Sequence, residues 1–280
     1  TGHSVLDMRE VTEIAADGSL ERAMNIPARD RMKNLDKLPG LDEPIVVTCA
    51  SGHRGGFVLV ALKMMGYTNV RNLSGGMGGW IKAELPVVTG VPAAPAAIST
   101  AIIENQQLWT DLDNWFSNIP EGFYSIKADK LNENLAGGAT PVFIDVRSAG
   151  EWTADGYLAG AINLPIDTFM ASLDQLPADK AAPVVVYCAS GFRGAAAAMA
   201  MQFLGYTDVV NLAGGLGAWK TAQFPVEGWV NWPAVWTEFT ASLPADQGFY
   251  SISAANLNTA LAENPPFLVD LRETAEVEAS

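Results

Sequence analysis

Cysteine and histidine are scarce in this chain. Its 280 residues hold two of each, Cys49 and Cys188, His3 and His53, and no Cys-x-x-Cys pair. That leaves too few donors for a structural zinc site. Two cysteines in matching loops make a poor disulfide framework. With no neighbouring thiol to resolve an oxidised one, a dithiol redox role is weak as well. Basic residues are also few: 17 Lys and Arg stand against 31 Asp and Glu, a net charge of −14. A binder of the phosphate backbone needs a basic face, so nucleic acid is not an expected partner. The acidic field repels small anions at long range, though salt screens it beyond about 8 Å. No apolar run reaches the ~18 residues of a membrane span. The chain opens on Thr1-Gly2-His3-Ser4 directly before a strand-like segment, without a signal-peptide pattern.

What is present is repetition. Cys188 follows Cys49 by 139 positions, and Trp219 follows Trp80 by the same interval. Between them, Gly75-Gly76-Met77-Gly78-Gly79-Trp80 matches Gly214-Gly215-Leu216-Gly217-Ala218-Trp219. Upstream, Asp7-Met8-Arg9 matches Asp145-Val146-Arg147, and Ala23-Met24-Asn25-Ile26-Pro27 matches Ala161-Ile162-Asn163-Leu164-Pro165. Matches that keep their order at an offset of 138 or 139 mark two copies of one domain. A third copy begins: Gly248-Phe249-Tyr250-Ser251-Ile252 echoes Gly122-Phe123-Tyr124-Ser125-Ile126, and the 267–272 stretch echoes the Asp-x-Arg strand.

The expected organisation is a first domain over 1–90, a Pro/Ala linker with a lead helix over 91–118, a second domain over 119–228, and a partial third repeat over 229–280. The first copy lacks the counterpart of 122–140, so an apolar edge and sheet face are expected to be exposed there. Two explanations stand side by side. Segment 248–264 supplies the missing helix, within the chain or in a swapped homodimer, or the chain is a piece of a longer repeat protein. Trp109, Leu112, Phe116 and Ile119 recur at helical spacing, which predicts a lead helix packed on its own domain rather than an aromatic binding platform.

Within the second copy, short β-branched runs alternate with helical ones. Strands are expected at 142–146, 161–164, 184–188 and 208–212, with helices near 167–176, 193–204 and 215–222. This alternation predicts an α/β fold with a parallel sheet covered on both faces, and ligands at the carboxyl ends of the strands. Cys49 and Cys188 both fall at such an end. Each heads a loop, Cys49-Ala50-Ser51-Gly52-His53-Arg54 and Cys188-Ala189-Ser190-Gly191-Phe192-Arg193, and each loop runs into a helix. Backbone N–H groups of a tight loop and the positive end of a helix converge there on an anion. Small residues leave the amides unobstructed, and the arginine closes the loop with a permanent charge. Such surroundings favour a nucleophilic thiolate.

With its Cys-x-x-Gly-x-Arg loops, Asp-x-Arg strands (Asp7, Arg9, Asp145, Arg147), Glu13 and Glu151, and Gly-Gly-x-x-x-Trp turns, the chain resembles tandem rhodanese domains, the sulfurtransferase family. The resemblance covers nearly all of it outside the linkers. It implies a five-stranded parallel sheet in each domain and ping-pong transfer of sulfane sulfur through a cysteine persulfide. Cys49 and Cys188 would be the nucleophiles. Ala50, Ser51, Gly52, His53 and Arg54 in one loop, and Ala189, Ser190, Gly191, Phe192 and Arg193 in the other, would hold the substrate. Thiosulfate or a persulfide would be the donor, and cyanide, a thiol or a persulfide carrier protein the acceptor, without metal or organic cofactor. His53 is expected either to add a titratable positive charge near neutral pH or to point to solvent. Phe192 is expected to make the second mouth more apolar. The Asp-x-Arg pairs read as structural ion pairs behind the loops.

The rival readings are a cysteine phosphatase or arsenate reductase and a non-catalytic module that keeps only the fold. The phosphatase loop places five residues between Cys and Arg, and here there are four at both sites, a smaller ring better matched to one sulfur. A module that only binds usually loses the cysteine. The compartment stays open, with a lean towards export over the cytoplasm.

Overall fold

The computed structural model describes residues 3–92, 105–242 and 252–263. The chain divides into two compact units, Thr1–Trp229 and Val230–Ser280. The first unit contains both cysteine loops.

The first repeat runs β1 (Ser4–Asp7), α1 (Val11–Asp17), β2 (Met24–Asn25), β3 (Ile45–Thr48), α2 (His53–Met64), β4 (Val70–Asn72) and α3 (Gly76–Lys82). Its sheet is parallel, in the order β2-β1-β3-β4. Next come α4 (Gln106–Ser117), β5 (Ser125–Ile126), α5 (Ala128–Ala136), β6 (Val142–Asp145), α6 (Ala149–Asp155), β7 (Ile162–Asn163), β8 (Val184–Tyr187), α7 (Phe192–Phe203), β9 (Val209–Leu212) and α8 (Gly215–Thr221). The second sheet is also parallel, in the order β5-β9-β8-β6-β7. The β8 run Val184-Val185-Val186-Tyr187 is buried throughout, as a strand covered on both faces should be.

Among the described residues the first sheet has four strands, not the expected five. The fifth strand of the second sheet is β5, and the first repeat lacks the stretch that would supply it. The same gap thins one face. In the second repeat α5 closes a core of Leu131, Phe143, Val185, Leu212 and Trp219. The matching cluster of the first repeat holds only Leu20, Ala23 and Met77, with Val5 and Trp80 partly buried at its edge.

The lead helix α4 packs differently from the expectation. Leu112, Phe116 and Ile119 are buried in the core of the first repeat with Met8, Met32 and Phe57, not in that of the second. Trp109 donates its indole N–H to the carbonyl of Met32 at 2.9 Å. Trp115 donates to Gln202 Oε1 of α7 at 2.8 Å and contacts the rings of Phe57, Tyr124 and Phe203. The helix therefore closes the face over α2 and joins the repeats, burying its apolar side chains against the first core. The two post-cysteine helices, α2 and α7, lie against each other. A Cβ on Gly56 would stand 2.5 Å from the carbonyl oxygen of Phe192, so only glycine permits this approach.

The helix expected near 167–176 is two 3-10 turns, Phe169–Ala171 and Leu173–Gln175, split at Ser172 (φ −120°, ψ 24°). The short helices α1 and α6 follow capping boxes, Glu10 with Glu13 and Ser148 with Glu151.

The second unit contains α9 (Trp232–Ala241), with proline in its first turn and Asn231 Oδ1 accepting from the N–H of Ala234, and α10 (Ala254–Glu263). The Pro/Ala stretch from 93 onwards, the echo at 248–251 and the Asp-x-Arg echo at 267–272 lie outside the described residues. Of the segment 248–264 expected to complete the first repeat, residues 252–263 are described, and they form α10 within the second unit. No helix among the described residues is long and apolar enough to cross a membrane.

Candidate active site

Both cysteines lie where β3 and β8 end, and both side chains are buried. After each cysteine the chain turns through a left-handed glycine, Gly52 (φ 91°) or Gly191 (φ 97°). The turn swings that glycine's N–H onto the sulfur: Gly52 donates to Cys49 Sγ and Gly191 to Cys188 Sγ, each at 3.1 Å. Ala50 and Ala189 are half-buried, and Ser51 and Ser190 face outward.

The loop carbonyls are held from behind by the next helix. Met77 and Gly78 donate to the carbonyls of Cys49 and Ala50, both at 2.8 Å. Leu216 and Gly217 do the same for Cys188 and Ala189, at 2.8 and 2.9 Å. With the carbonyls engaged on that side, the amides are free to face the sulfur. This is what the Gly-Gly-x-x-x-Trp turn contributes. Gly76 (φ 57°) and Gly215 (φ 59°) run so close to the loops that a Cβ would lie 2.4 and 2.2 Å from the cysteine carbonyl oxygens. The tryptophans lock the far side, Trp80 donating to the carbonyl of Pro86 and Trp219 to that of Pro225.

Two asparagines complete the support. Asn72 on β4 and Asn211 on β9 donate to the carbonyls of Gly52 and Gly191, at 2.9 and 2.8 Å. Their Oδ1 atoms occupy the space a Cβ would need at Gly55 and Gly194, which explains why glycine follows each loop arginine. Sequence reasoning missed both asparagines. Their shared spacing of 139 inside an apolar strand was the available signal.

Each loop arginine is paired with the glutamate of the preceding capping box. Arg54 meets Glu13 at 2.6 and 2.5 Å, and Arg193 meets Glu151 at 2.8 and 2.6 Å. The bond to Arg193 holds the Glu151 carboxyl down at about 2. Burial alone would raise Glu13, yet the Arg54 bond and charge keep it below the usual carboxylate range. Burial opposes the charge on Arg54, while the Glu13 bond and the neighbouring Cys49 together raise its pKa. The Asp-x-Arg pairs are fully buried ion pairs, Arg9 with Asp7 at 2.7 Å and Arg147 with Asp145 at 2.5 Å.

His53 follows neither expectation. It does not point to solvent, and it is not a cation near neutral pH. Its Nε2 lies 2.6 Å from the carbonyl oxygen of Phe123 and its Nδ1 2.6 Å from Asn211 Nδ2. Its ring also packs edge-on to Phe57. Burial drives its pKa down to about 4, with Arg54 acting in the same direction and the Phe123 carbonyl against. The ring is therefore neutral. Its counterpart Phe192 is half-buried, and its carbonyl oxygen faces Gly56 across the α2–α7 contact.

The mouth of the first loop is shared between the repeats. A cleft of about 280 Å³ is bounded by Glu13, Ser51 and Arg54 on one side and by Gly122, Phe123 and Ala213 on the other. The Phe123 ring centroid lies 5.0 Å from the Arg54 guanidinium carbon. No sequence pattern reported that Phe123 belongs to the first site. Among the described residues, no three His, Cys, Asp or Glu side chains converge as metal ligands.

Parallel α/β repeats, each with a Cys-headed loop at the strand ends, define the class. The model of the rhodanese-like domain matches residues 1–83 and 127–222. The chain belongs to that family. It is similar to a sulfurtransferase from Allochromatium vinosum, 32% identical over 101 residues that span 36% of this chain and 92% of that protein. It is also similar to the tRNA uridine(34) hydroxylase of Yersinia enterocolitica, 33% identical over 108 residues, 37% of this chain but only 30% of that protein. Among solved structures, a rhodanese-related protein from Thermoplasma volcanium shares 32% identity over 38% of this chain and 98% of that one, with a TM-score of 0.34. A thiosulfate sulfurtransferase from Pseudomonas aeruginosa shares 24% identity over 80% of this chain and 40% of that one, with a TM-score of 0.33.

Proposed function

We propose that the chain is a sulfurtransferase that carries sulfane sulfur as a persulfide on Cys49 and on Cys188. The observation that carries this reading is the amide aimed at each sulfur, Gly52 on Cys49 and Gly191 on Cys188, at 3.1 Å. A cysteine thiolate attacks the outer sulfur of thiosulfate or of a persulfide. The new S–S bond forms as the old one breaks, and sulfite or a thiolate leaves with the electron pair. An acceptor, cyanide, a thiol or a persulfide carrier protein, then attacks the terminal sulfur and displaces the cysteine thiolate. The loop amides, 50–54 and 189–193, stabilise the anionic sulfur in both steps. Arg54 and Arg193 act as fixed positive charges, since both terminal nitrogens of each are committed to a glutamate. The small ring favours one sulfur atom over a tetrahedral oxyanion.

Initial rates of thiocyanate formation at varied thiosulfate and cyanide test this. A carrier that releases sulfite before cyanide binds gives parallel double-reciprocal lines, and Cys49→Ser/Cys188→Ser abolishes turnover. Hydrolysis of an aryl phosphate with no sulfur uptake would overturn the reading in favour of the phosphatase.

A further inference from the structure

Asn211 has two acceptors, and they belong to different repeats. Its Nδ2 donates to the Gly191 carbonyl at 2.8 Å and lies 2.6 Å from His53 Nδ1. The Phe123 carbonyl can only accept, so His53 Nε2, 2.6 Å away, carries the ring proton. Nδ1 is then a bare lone pair, free to accept the second proton of the Asn211 amide. The planar amide is thus fixed by two acceptors at once. Asn72 in the first repeat donates to the Gly52 carbonyl alone among the described residues, and Phe192 at the place of His53 offers no ring nitrogen.

The Gly191 carbonyl also receives the N–H of Ala195 at 3.0 Å, the first hydrogen bond of α7. The bonds at this carbonyl hold Gly191 left-handed, the conformation that places its own N–H on Cys188 Sγ at 3.1 Å. A continuous path results. It runs from Cys49 Sγ through the Gly52 amide to the adjacent His53, across to Asn211, and through Gly191 to Cys188 Sγ.

We propose that His53, a residue of the first loop, is a positioning residue for the second: it orients Asn211 and so sets the reactivity of Cys188. The arrangement is unsymmetrical, because the second loop returns no equivalent acceptor to Asn72. The inference rests on the sulfur-carrier reading only for its biological meaning, since its geometry concerns the thiol itself.

The test uses the full chain with Cys49→Ser, which leaves Cys188 as its one thiol. Sulfur loading from thiosulfate and alkylation by iodoacetamide are both timed at Cys188. His53→Phe keeps an aromatic ring and removes the acceptor. It is expected to slow both reactions about fivefold, the worth of one hydrogen bond. His53→Asn puts an amide oxygen near the place of Nδ1 and is expected to restore them. His53→Leu, similar in size to Asn but without an acceptor, replaces His53→Phe should that variant not fold. Equal rates in the Phe, Leu and Asn variants would overturn the proposal even if all three melted at lower temperature. Should the parent take up no sulfur at all, the carrier reading fails, and the alkylation rates alone then decide the positioning role.

Discussion

Arg54 and Arg193 each give both terminal nitrogens to one glutamate, and that pairing is the main electrostatic feature of the two loops. The folded pKa of Glu151 lies at about 2, below its ordinary 4.5. The pair therefore stabilises the fold fully above pH 4.5 and loses that contribution as pH falls towards 2. Solvent reaches the pair, so it is worth about 1 kcal/mol or less to stability. Its larger effect is on orientation. Glu151→Gln is expected to lower the rate of sulfur loading at Cys188 about tenfold at neutral pH, with the urea midpoint little changed. Glycine carries the steric side of the site. Gly215→Ala would force a Cβ to within 2.2 Å of the Cys188 carbonyl oxygen at φ 59°. It should cost about 2 kcal/mol in urea unfolding and abolish loading at Cys188 while Cys49 still loads. At this scale Cys49, Cys188, the loop arginines and the glycine turns were legible, because each appears twice at one spacing. The role of His53 was not, because its partners Phe123 and Asn211 are distant in sequence and contacts of that kind leave no local pattern.

The strands and post-cysteine helices of the second repeat fall within a residue or two of the sequence expectation. The apolar runs are long enough there for periodicity to speak. The one misplacement of an element, that of α4 against its core, comes from tertiary packing. Helical spacing correctly placed α4, but the pattern of Leu112 and Phe116 cannot say which repeat they bury against. The answer depended on which core was left open. The stretch near 167–176 has helical composition but breaks at Ser172. Trp115 is the keystone of α4, touching Phe57, Phe116, Tyr124 and Phe203 and bonding Gln202. Trp115→Ala is expected to cost about 3 kcal/mol. A single transition at lower urea, followed by fluorescence and by circular dichroism, would show that both repeats depend on it. Loss of one repeat with the other unshifted would contradict the clamp.

The molecule as a whole turns a repeated domain into two unequal sites. The first loop is roofed by Phe123 of the second repeat, and the second loop is braced by His53 of the first. Because His53 is buried neutral, its folded pKa of about 4 lies below the ordinary 6.5. The unfolded chain binds the extra proton first. This contribution to stability is present above pH 6.5 and declines as pH falls towards 4, by about 3 kcal/mol at most. The urea midpoint of the wild type should drop across that window, and the drop should be shallower in His53→Phe. Identical pH profiles for the two chains would contradict a neutral, interface-bound histidine.

As proposed, each loop holds one extra sulfur on its cysteine. Intact-mass measurement after incubation with thiosulfate or a small persulfide tests it most directly. Two additions of one sulfur are expected, both removed by cyanide, one lost in each of Cys49→Ser and Cys188→Ser, and none in the double variant. An unmodified mass in the wild type, or additions that survive loss of both cysteines, would contradict it.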